Sequence, residues 1–248
     1  MKQLLLFYIF LFILPMFGYA QKWKLTREEL MGGLGIANYF GDIGGAADPE
    51  ASVFADIDFA YTRPSLMIGY RYRLTERISA KGSFTYANFY GSDAGSKNES
   101  RNYAFSSNLF ELYGHVEYHI TEEKQIITYS TMSLRSGLKK FNAAFNVYVF
   151  GGLGGAYFKP KAKEDFIDSD RFNGSKNLAF VLPVGIGAKY PVRSDLYLGL
   201  EFSGRITTTD FIDGFSPDAS NSNDLYYLTV IYVSYKIKPK SRKPKIRF

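Results

Sequence analysis

Apolar and polar side chains alternate within residues 190–215. After a short polar turn, Leu196, Leu198 and Leu200 fall on one face, while Glu201 and Arg205 fall on the other. A period of two is characteristic of a β-strand. In a water-soluble sheet the apolar face would cover a core. We interpret it here as facing lipid, with the charged face lining a narrow lumen.

The same alternation recurs along the chain in about eight segments. Most of them reach the 9–11 residues that a tilted strand needs to cross a bilayer. The segments are 29–40, 64–73, 78–90, 108–120, 143–158, 178–190, 196–207 and 225–237. In lipid, only a closed barrel satisfies the backbone hydrogen bonds of strands. The pattern therefore predicts an all-β fold, an antiparallel transmembrane β-barrel of about eight strands.

The connections between these segments differ in length. Residues 74–77 and 192–195 form tight turns, whereas 121–142 is unexpectedly long for that end of the barrel. Outer-membrane barrels have short periplasmic turns and long extracellular loops. The long polar connections are 41–63, 91–107, 159–177 and 208–224. We therefore expect these four to be extracellular loops.

Small residues on the inward face support a narrow barrel. A barrel of about eight strands has room for little more than its own side chains. Glycine must then stand opposite the large residues. The inward glycines are Gly33, Gly35, Gly152, Gly154, Gly185 and Gly187. The alternative is a soluble β-sandwich in which glycine marks bulges.

The first 20 residues have the parts of a secretory signal peptide. Lys2 is followed by an apolar run over 4–17 and a small-residue exit ending at Ala20. The alternative, a membrane anchor, is disfavoured because the run is short and Pro15 interrupts it. We expect a signal peptide at 1–20, a barrel at 21–237 and a tail at 238–248. Together they predict the cell outer membrane of a Gram-negative bacterium.

Composition fits this interpretation. Phe and Tyr make up nearly all of the 17% aromatic share, and such residues form girdles where a barrel meets the bilayer surfaces. The mean hydropathy of −0.15 is compatible with strands that alternate in polarity. The absence of cysteine excludes disulfides and thiolate sites.

The net charge of +6 is concentrated from Lys236 onwards, where the sequence has seven cations and no acid. This local distribution argues against nucleic acid as a partner. We expect the tail to contact an acidic periplasmic protein or lipid headgroups; the alternative is a disordered solubilising tail. The partner-binding candidates are Lys238, Lys240, Arg242, Lys243, Lys245 and Arg247.

Charged residues at inward positions form the other candidate site. Buried charges require partners, so we expect a salt-bridged plug; a proton or solute path is the alternative. This lumen charge network consists of Arg71, Arg73, Lys81, Glu111, His115, Glu117, Glu201 and Arg205.

Little in the sequence suggests a cofactor, a metal or catalysis. The two histidines, His115 and His119, are about 13 Å apart along a strand, too far to share a metal. Neither is expected near an exposed serine, so no enzyme is predicted. We expect the loop acids to be solvated rather than to bind calcium; they are Asp210, Asp213, Asp218 and Asp224.

Three stretches resemble the PorG-like family, small outer-membrane barrels associated with type IX secretion and gliding in the Bacteroidetes. They are NYFGD (38–42), VFGGLGGAYFKPKA (149–162), and GLEF (199–202) followed by TDFIDGFS (209–216). The family usually has a second acid where this chain has Gly214. The resemblance implies a non-enzymatic component, without catalytic residues, that docks the periplasmic ring built from a lipoprotein and its partner.

Two functional hypotheses follow. In the first, the barrel sits among outer-membrane lipids and anchors the periplasmic ring proteins of a type IX secretion or gliding machinery. In the second, it is a small porin-like or adhesion barrel whose extracellular loops bind ligands.

Overall fold

The computed structural model describes residues 26–44, 61–96, 98–121, 123, 145–215 and 223–237. Within them, eight antiparallel strands pair in sequence order and close into one barrel, because β8 pairs back onto β1. The strands are β1 (Glu28–Phe40), β2 (Arg63–Arg73), β3 (Ile78–Ser92), β4 (Tyr103–His119), β5 (Asn146–Glu164), β6 (Leu178–Pro191), β7 (Leu196–Thr207) and β8 (Leu225–Ile237). The predicted eight-stranded antiparallel barrel is confirmed. The described part of the chain has no helix long and apolar enough to cross a membrane.

The apolar residues of the strands lie mainly outside the barrel. Leu153 and Phe180 are 70% and 76% exposed, while Met31, at an inward position of β1, is 3% exposed. A soluble sandwich would bury the larger apolar face between two sheets. The single closed sheet, with its apolar exterior, excludes that alternative for the described residues.

Aromatic residues form two rows on the outer surface. Near the end with the tight turns are Tyr72, Tyr118, Phe145, Tyr190 and Tyr235, and near the opposite end are Tyr86, Phe110, Tyr157, Phe180, Phe202 and Tyr227. Several pack together in pairs; the Phe202 and Tyr227 rings stack with centroids 5.8 Å apart. A rim of aromatic residues at each end of an apolar band is the arrangement of bilayer-spanning barrels.

The two tight turns lie at the same end as the termini of the barrel. In the first, the Leu74 and Thr75 amides both donate to the Ile78 carbonyl. In the second, residues 192–195, the Asp195 carbonyl accepts from the Lys236 amide at the end of β8. This end carries the N-terminus of β1, the C-terminus of β8 and the described part of the β4–β5 connection.

The structure corrects two of the four predicted long loops. The ladder of β3, β4 and β5 continues through much of 91–107 and 159–164, with Gly91 paired to Phe105 and Phe105 paired to Ala162. The polar composition suggested loops because it reflects only the outer face of this extension. Its inner face carries Phe105 and Phe158, which are fully buried.

These inner phenylalanines belong to an apolar cap that covers the end of the lumen opposite the tight turns. The connections between strands contribute to it; its buried residues include Ile43, Phe89, Phe105, Phe158, Phe166, Ile212 and Phe215. A salt bridge between Arg101 and Asp93 (2.7 Å) joins the two ends of the β3–β4 connection beside the cap. The described parts of these connections therefore cover this end of the barrel.

The expectation of a fully solvated acidic loop is wrong for Asp213 and Asp224. Both are buried in the cap, where their oxygens accept hydrogen bonds from the Phe215 amide and the Ile212 amide, respectively. Asp224 also accepts from the Tyr39 hydroxyl. Folding the loop onto the apolar cluster buries these carboxyl groups, which local composition could not reveal.

Three sequence predictions fall outside the described residues. They concern the signal peptide at 1–20, the basic tail at 238–248 and, apart from residues 121 and 123, the long connection at 121–142. Asp218 also lies outside them.

Candidate functional site

The middle of the lumen is bridged by a lysine and a glutamate from distant strands. Lys81 on β3 donates to both carboxylate oxygens of Glu201 on β7 at 2.7 Å. The Tyr148 hydroxyl donates to the same carboxylate at 2.7 Å and lies 2.8 Å from the Tyr232 hydroxyl. Glycine makes room for these tyrosines. A Cβ atom at Gly187 would overlap the Tyr148 ring, and one at Gly199 would overlap Tyr232.

Arg71 links this level to the next one towards the tight turns. Its guanidinium donates to Glu29 at 2.9 Å and to Glu117 at 2.8 Å, and its centre lies 5.1 Å from the Tyr148 ring. The side chain is 1% exposed. A buried guanidinium requires such compensation because desolvating an unpaired charge costs several kcal/mol per ion.

The two histidines flank Glu117. Its carboxylate lies 3.3 Å from the ring of His115 and 3.6 Å from that of His119. The rings face the lumen from the inward positions of β4 on either side of Glu117. Among the described residues, no three His, Asp or Glu side chains are arranged to share a metal ion.

His119 also contacts a serine and an asparagine. Its Nε2 is 3.0 Å from the Ser79 hydroxyl, and its Nδ1 is 2.6 Å from the Asn146 side-chain oxygen. The order serine, histidine, asparagine has the connectivity of a nucleophile, a base and an orienting group. All three residues are buried, however, so the serine has no open approach for a substrate. Their geometry supplies hydrogen bonds that hold β3, β4 and β5 together.

A separate pair fills the lumen near the apolar cap. The Arg205 guanidinium lies 3.3 Å from Glu111, which also accepts from the Tyr226 hydroxyl at 3.1 Å. The Arg205 guanidinium is 5.1 Å from the Tyr113 ring centre. Glu111, Arg205 and Tyr226 come from β4, β7 and β8, so this level also spans the barrel.

The mouth of the barrel at the end with the tight turns is closed by Glu123, which belongs to the β4–β5 connection rather than to a strand. Its carboxylate lies 3.0 Å from the Lys189 ammonium and also pairs with Arg73 and Lys236. Burial by itself would raise the pKa of Glu123. The charges of Lys189, Lys236 and Arg73 outweigh that effect and hold the pKa well below its ordinary value.

The lumen network is therefore larger than the sequence analysis proposed. Glu29, Lys189 and Lys236 occupy inward positions, and strand parity could have identified them. Lys236 had instead been counted with the basic tail; it is buried in β8, with its ammonium 3.8 Å from Glu29. Strand parity could not identify Glu123 as a lumen residue, because Glu123 lies in a connection rather than in a strand.

Together these residues fill the lumen at several levels. Each of the five glutamates in the lumen pairs with at least one cation, and the aromatic rings of Tyr113, Tyr148 and Tyr232 occupy the space between levels. An eight-stranded barrel has an interior just wide enough for such packing. The arrangement can hold the strands in register and can block solute flow.

Comparison with known proteins adds the following findings. A family model described as a domain of unknown function (DUF6089) matches residues 3–235. No curated protein sequence matches the chain. Neisserial surface protein A (NspA) is a similar solved structure, with 11% identity, a TM-score of 0.46, and coverage of 85% of this chain and 97% of that one.

Two further structures show the same degree of likeness. The N-terminal barrel domain of Pseudomonas aeruginosa OprF has 11% identity and a TM-score of 0.43, and the match covers 86% of this chain and 98% of that one. The outer-membrane enzyme PagL has 10% identity and a TM-score of 0.38, with coverage of 84% and 99%. The fold assignment rests on the hydrogen-bonded ladder of this chain itself.

Proposed function

The chain belongs to the family described as a domain of unknown function (DUF6089), and we propose that it is a plugged outer-membrane barrel that anchors the periplasmic part of a type IX secretion or gliding machinery. The observation that carries the proposal is the combination of a lipid-compatible exterior with a lumen filled by paired charges. Such a barrel serves as a fixed membrane attachment rather than as a conduit.

The dimensions of the exterior support membrane insertion. On β5 the outward residues from Val147 to Tyr157 are uncharged, and they span 157 − 147 = 10 residue steps. At about 3.3 Å per residue and a tilt of about 40°, this stretch is roughly 25 Å tall. That height matches the apolar band of about 25 Å in outer-membrane barrels.

The filled lumen argues against the porin-like alternative. Solute passage would require separating Lys81 from Glu201, or Arg71 from its two glutamates, inside a low-dielectric cylinder. Removing one partner of a buried pair typically costs about 3–5 kcal/mol, so spontaneous opening is rare. We expect planar bilayers containing the full chain to show no steady conductance above that of protein-free membranes.

The periplasmic end offers the docking surface in this proposal. It presents the two tight turns and the start of the β4–β5 connection, and the basic residues from Lys238 onwards follow β8 directly in sequence. Positive charge at this position suits an acidic periplasmic partner. The resemblance of residues 38–42, 149–162, 199–202 and 209–216 to PorG-like barrels suggests the ring proteins of the type IX machinery.

Co-purification tests the anchor directly. Tagged full-length protein should retain the periplasmic ring proteins, and a chain lacking 238–248 should lose them. A matched variant with the six tail cations changed to glutamine separates charge from length. Intact secretion and gliding in a strain that lacks the whole gene would contradict the proposal.

Adhesion is the second candidate, and the ordered extracellular cap favours it. A preformed surface loses less conformational entropy on binding a ligand than flexible loops would. Cells that lose surface attachment but keep secretion when Arg101 is replaced by alanine would point to this function instead.

A further inference from the structure

A row of lysines lies on the outer face of β5, just beyond the apolar band. Lys159, Lys161 and Lys163 alternate with inward residues, so all three side chains point away from the barrel, and all three are exposed. β6 begins opposite Tyr157, so this part of β5 pairs only with β4. The lysines therefore stand on a sheet extension that rises above the rest of the wall.

Their height places them where lipid headgroups begin. Tyr157 belongs to the extracellular aromatic row, and Lys159 is the next outward residue. With about 3.3 Å per residue and a tilt of about 40°, the three lysines lie roughly 5, 10 and 15 Å above Tyr157. The headgroup layer extends roughly 5–7 Å beyond the hydrocarbon core. All three lysines therefore lie in this layer or within about one Debye length of it, about 8 Å in physiological salt, where charges interact with anionic headgroups.

The neighbouring strands extend this surface with polar groups. Lys159 is level with Asn108 and Asn88, and Lys161 is level with Ser106 and Tyr90. The Asn88 amide and the Tyr86 hydroxyl both donate to the Asn108 side-chain oxygen at 2.9 Å. These bonds fix the polar side chains beside the lysines in one orientation.

A fourth cation converges on the same surface. Arg63 at the start of β2 and Lys163 both lie over the Tyr90 ring, at 4.7 and 5.0 Å from its centre. We call Arg63, Lys159, Lys161 and Lys163 the basic stripe. None of the ion pairs found among the described residues involves the basic stripe. Four like charges on one surface, two of them meeting at one ring, favour an anionic ligand.

The stripe is confined to one side of the barrel. The outward residues near the extracellular ends of β1, β7 and β8 are uncharged; they include Asn38, Phe40, Ile206, Leu225 and Tyr227. A general attraction to an anionic membrane surface would not require this asymmetry. It indicates a local site instead.

We propose that the basic stripe binds the phosphate groups of a phosphorylated glycolipid of the outer leaflet, of the lipid A type. The acyl chains lie along the apolar wall below Tyr157, and the lysine ammonium groups donate to the phosphate oxygens. The inference rests on the outer-membrane location proposed above. The lipid would be held at the β3–β5 side. Binding there would fix which side of the barrel faces the bound lipid.

Lipid binding to the full chain in detergent micelles provides the test, with bisphosphorylated lipid A as the probe and native mass spectrometry as the readout. The triple variant Lys159→Gln, Lys161→Gln, Lys163→Gln removes three charges. Each lysine near an anionic surface contributes enough for roughly a fivefold change in affinity, so we expect a loss of about 100-fold. The matched control Arg171→Gln, Lys176→Gln, Arg193→Gln removes the same charge elsewhere and should change affinity less than about threefold.

Two measurements on the unmodified protein do not depend on the variants folding. Dephosphorylated lipid A should bind about as weakly as lipid A binds the triple variant, and raising the salt concentration should weaken binding of the phosphorylated form. Equal affinity for both lipid forms, or full affinity in the triple variant, would overturn the inference. Lysine-dependent binding of a heparin fragment, without binding of lipid A, would also overturn the inference, because the ligand would then be a polysaccharide.

Insertion into phosphatidylcholine vesicles separates this inference from the proposed function. Failure of the unmodified chain to insert would refute the membrane location. Normal insertion together with lysine-independent lipid A binding would refute only the site.

Discussion

Replacing Glu123 by glutamine removes a single negative charge from the mouth of the barrel beside the tight turns without changing side-chain size. The carboxylate pairs with Arg73, Lys189 and Lys236, and its side chain is 2% exposed. In the variant these three cations would face one another in the mouth. Glu29 would remain as their nearest carboxylate, 2.9 Å from Lys189 and 3.8 Å from Lys236.

The magnitude follows from this partial compensation. Breaking a buried ion pair by removing one partner costs about 3–5 kcal/mol. Since Glu29 continues to neutralise part of the charge, we expect a loss at the lower end of this range, about 3 kcal/mol in the free energy of unfolding. The depressed pKa of Glu123 adds a pH signature. Its stabilisation is present above the ordinary carboxyl pKa of 4.5 and is lost as the pH falls below it. The free energy of unfolding of Glu123→Gln should therefore fall less below pH 4.5 than that of the unmodified protein.

Urea titration of the barrel in lipid vesicles, followed by the gel mobility of unheated samples, measures this change. Glu76→Gln is the matched control, because Glu76 is exposed in the turn at the same end of the barrel; it should cost less than about 0.5 kcal/mol. A double-mutant cycle with Lys236→Met should show coupling between the two sites. If Glu123→Gln were no more destabilising than Glu76→Gln, the assignment of Glu123 as the residue that closes this mouth of the barrel would be wrong.

Three further predictions test the wall, the cap and the close packing. Leu153→Lys places a charge near mid-height on the lipid face and should destabilise the barrel in vesicles by about 2–4 kcal/mol. The control Ile167→Lys, exposed in the cap, should be nearly neutral, and equal effects of the two variants on unfolding in vesicles would refute the lipid-facing assignment of Leu153. Burial raises the pKa of Asp213 to about 7, and the nearby Asp42 and Asp210 carboxylates add to the shift. The pKa of Asp224, buried in the same cap, is also raised, by burial and by the charge of Asp213. Cap stability should therefore fall as the pH rises from about 4 to 7. Hydrogen exchange of 208–215, corrected for intrinsic rates, should show this fall in the unmodified protein and in the control Asp168→Asn but not in the double variant Asp213→Asn, Asp224→Asn; a slope that persisted in the double variant would place the titrating group elsewhere. Gly187→Val would drive a side chain into the Tyr148 ring and should lower the free energy of unfolding by at least about 2 kcal/mol. At Gly151 an added Cβ would meet its nearest neighbour, Val184, only at 3.9 Å, so Gly151→Val should cost less than about 0.5 kcal/mol in the same denaturation assay. Similar costs at both sites would show that the lumen is loosely packed.

Much of the wall of this barrel is predictable because strand alternation is a local property. Leu198 and Glu201 point in opposite directions whatever the rest of the chain does, since successive side chains of a strand alternate faces. The tight turns at 74–77 and 192–195 are equally local. Glu29 and Lys189 were missed as members of the charge network, although the same parity places them inside.

The tall β3–β5 extension depends on tertiary contacts. Composition over 91–107 and 159–177 favours loops, because only alternate residues are apolar and they are widely spaced. Phe105, Phe158 and Phe166 become a core only when they meet over the end of the barrel. The burial of Asp213 and Asp224 follows from the same cap, because hydrogen bonds from Tyr39 and two backbone amides compensate for their lost hydration.

By itself, the sequence determined the fold class, the two faces of each strand and the presence of charges in the lumen. Only the tertiary structure decided which charges pair. Lys81 and Glu201 are 120 residues apart in the chain, and Glu123 and Lys236 are 113 apart. Such pairing depends on strand register, tilt and closure, which bring opposite walls within hydrogen-bond distance, and no local pattern encodes the distance across a barrel.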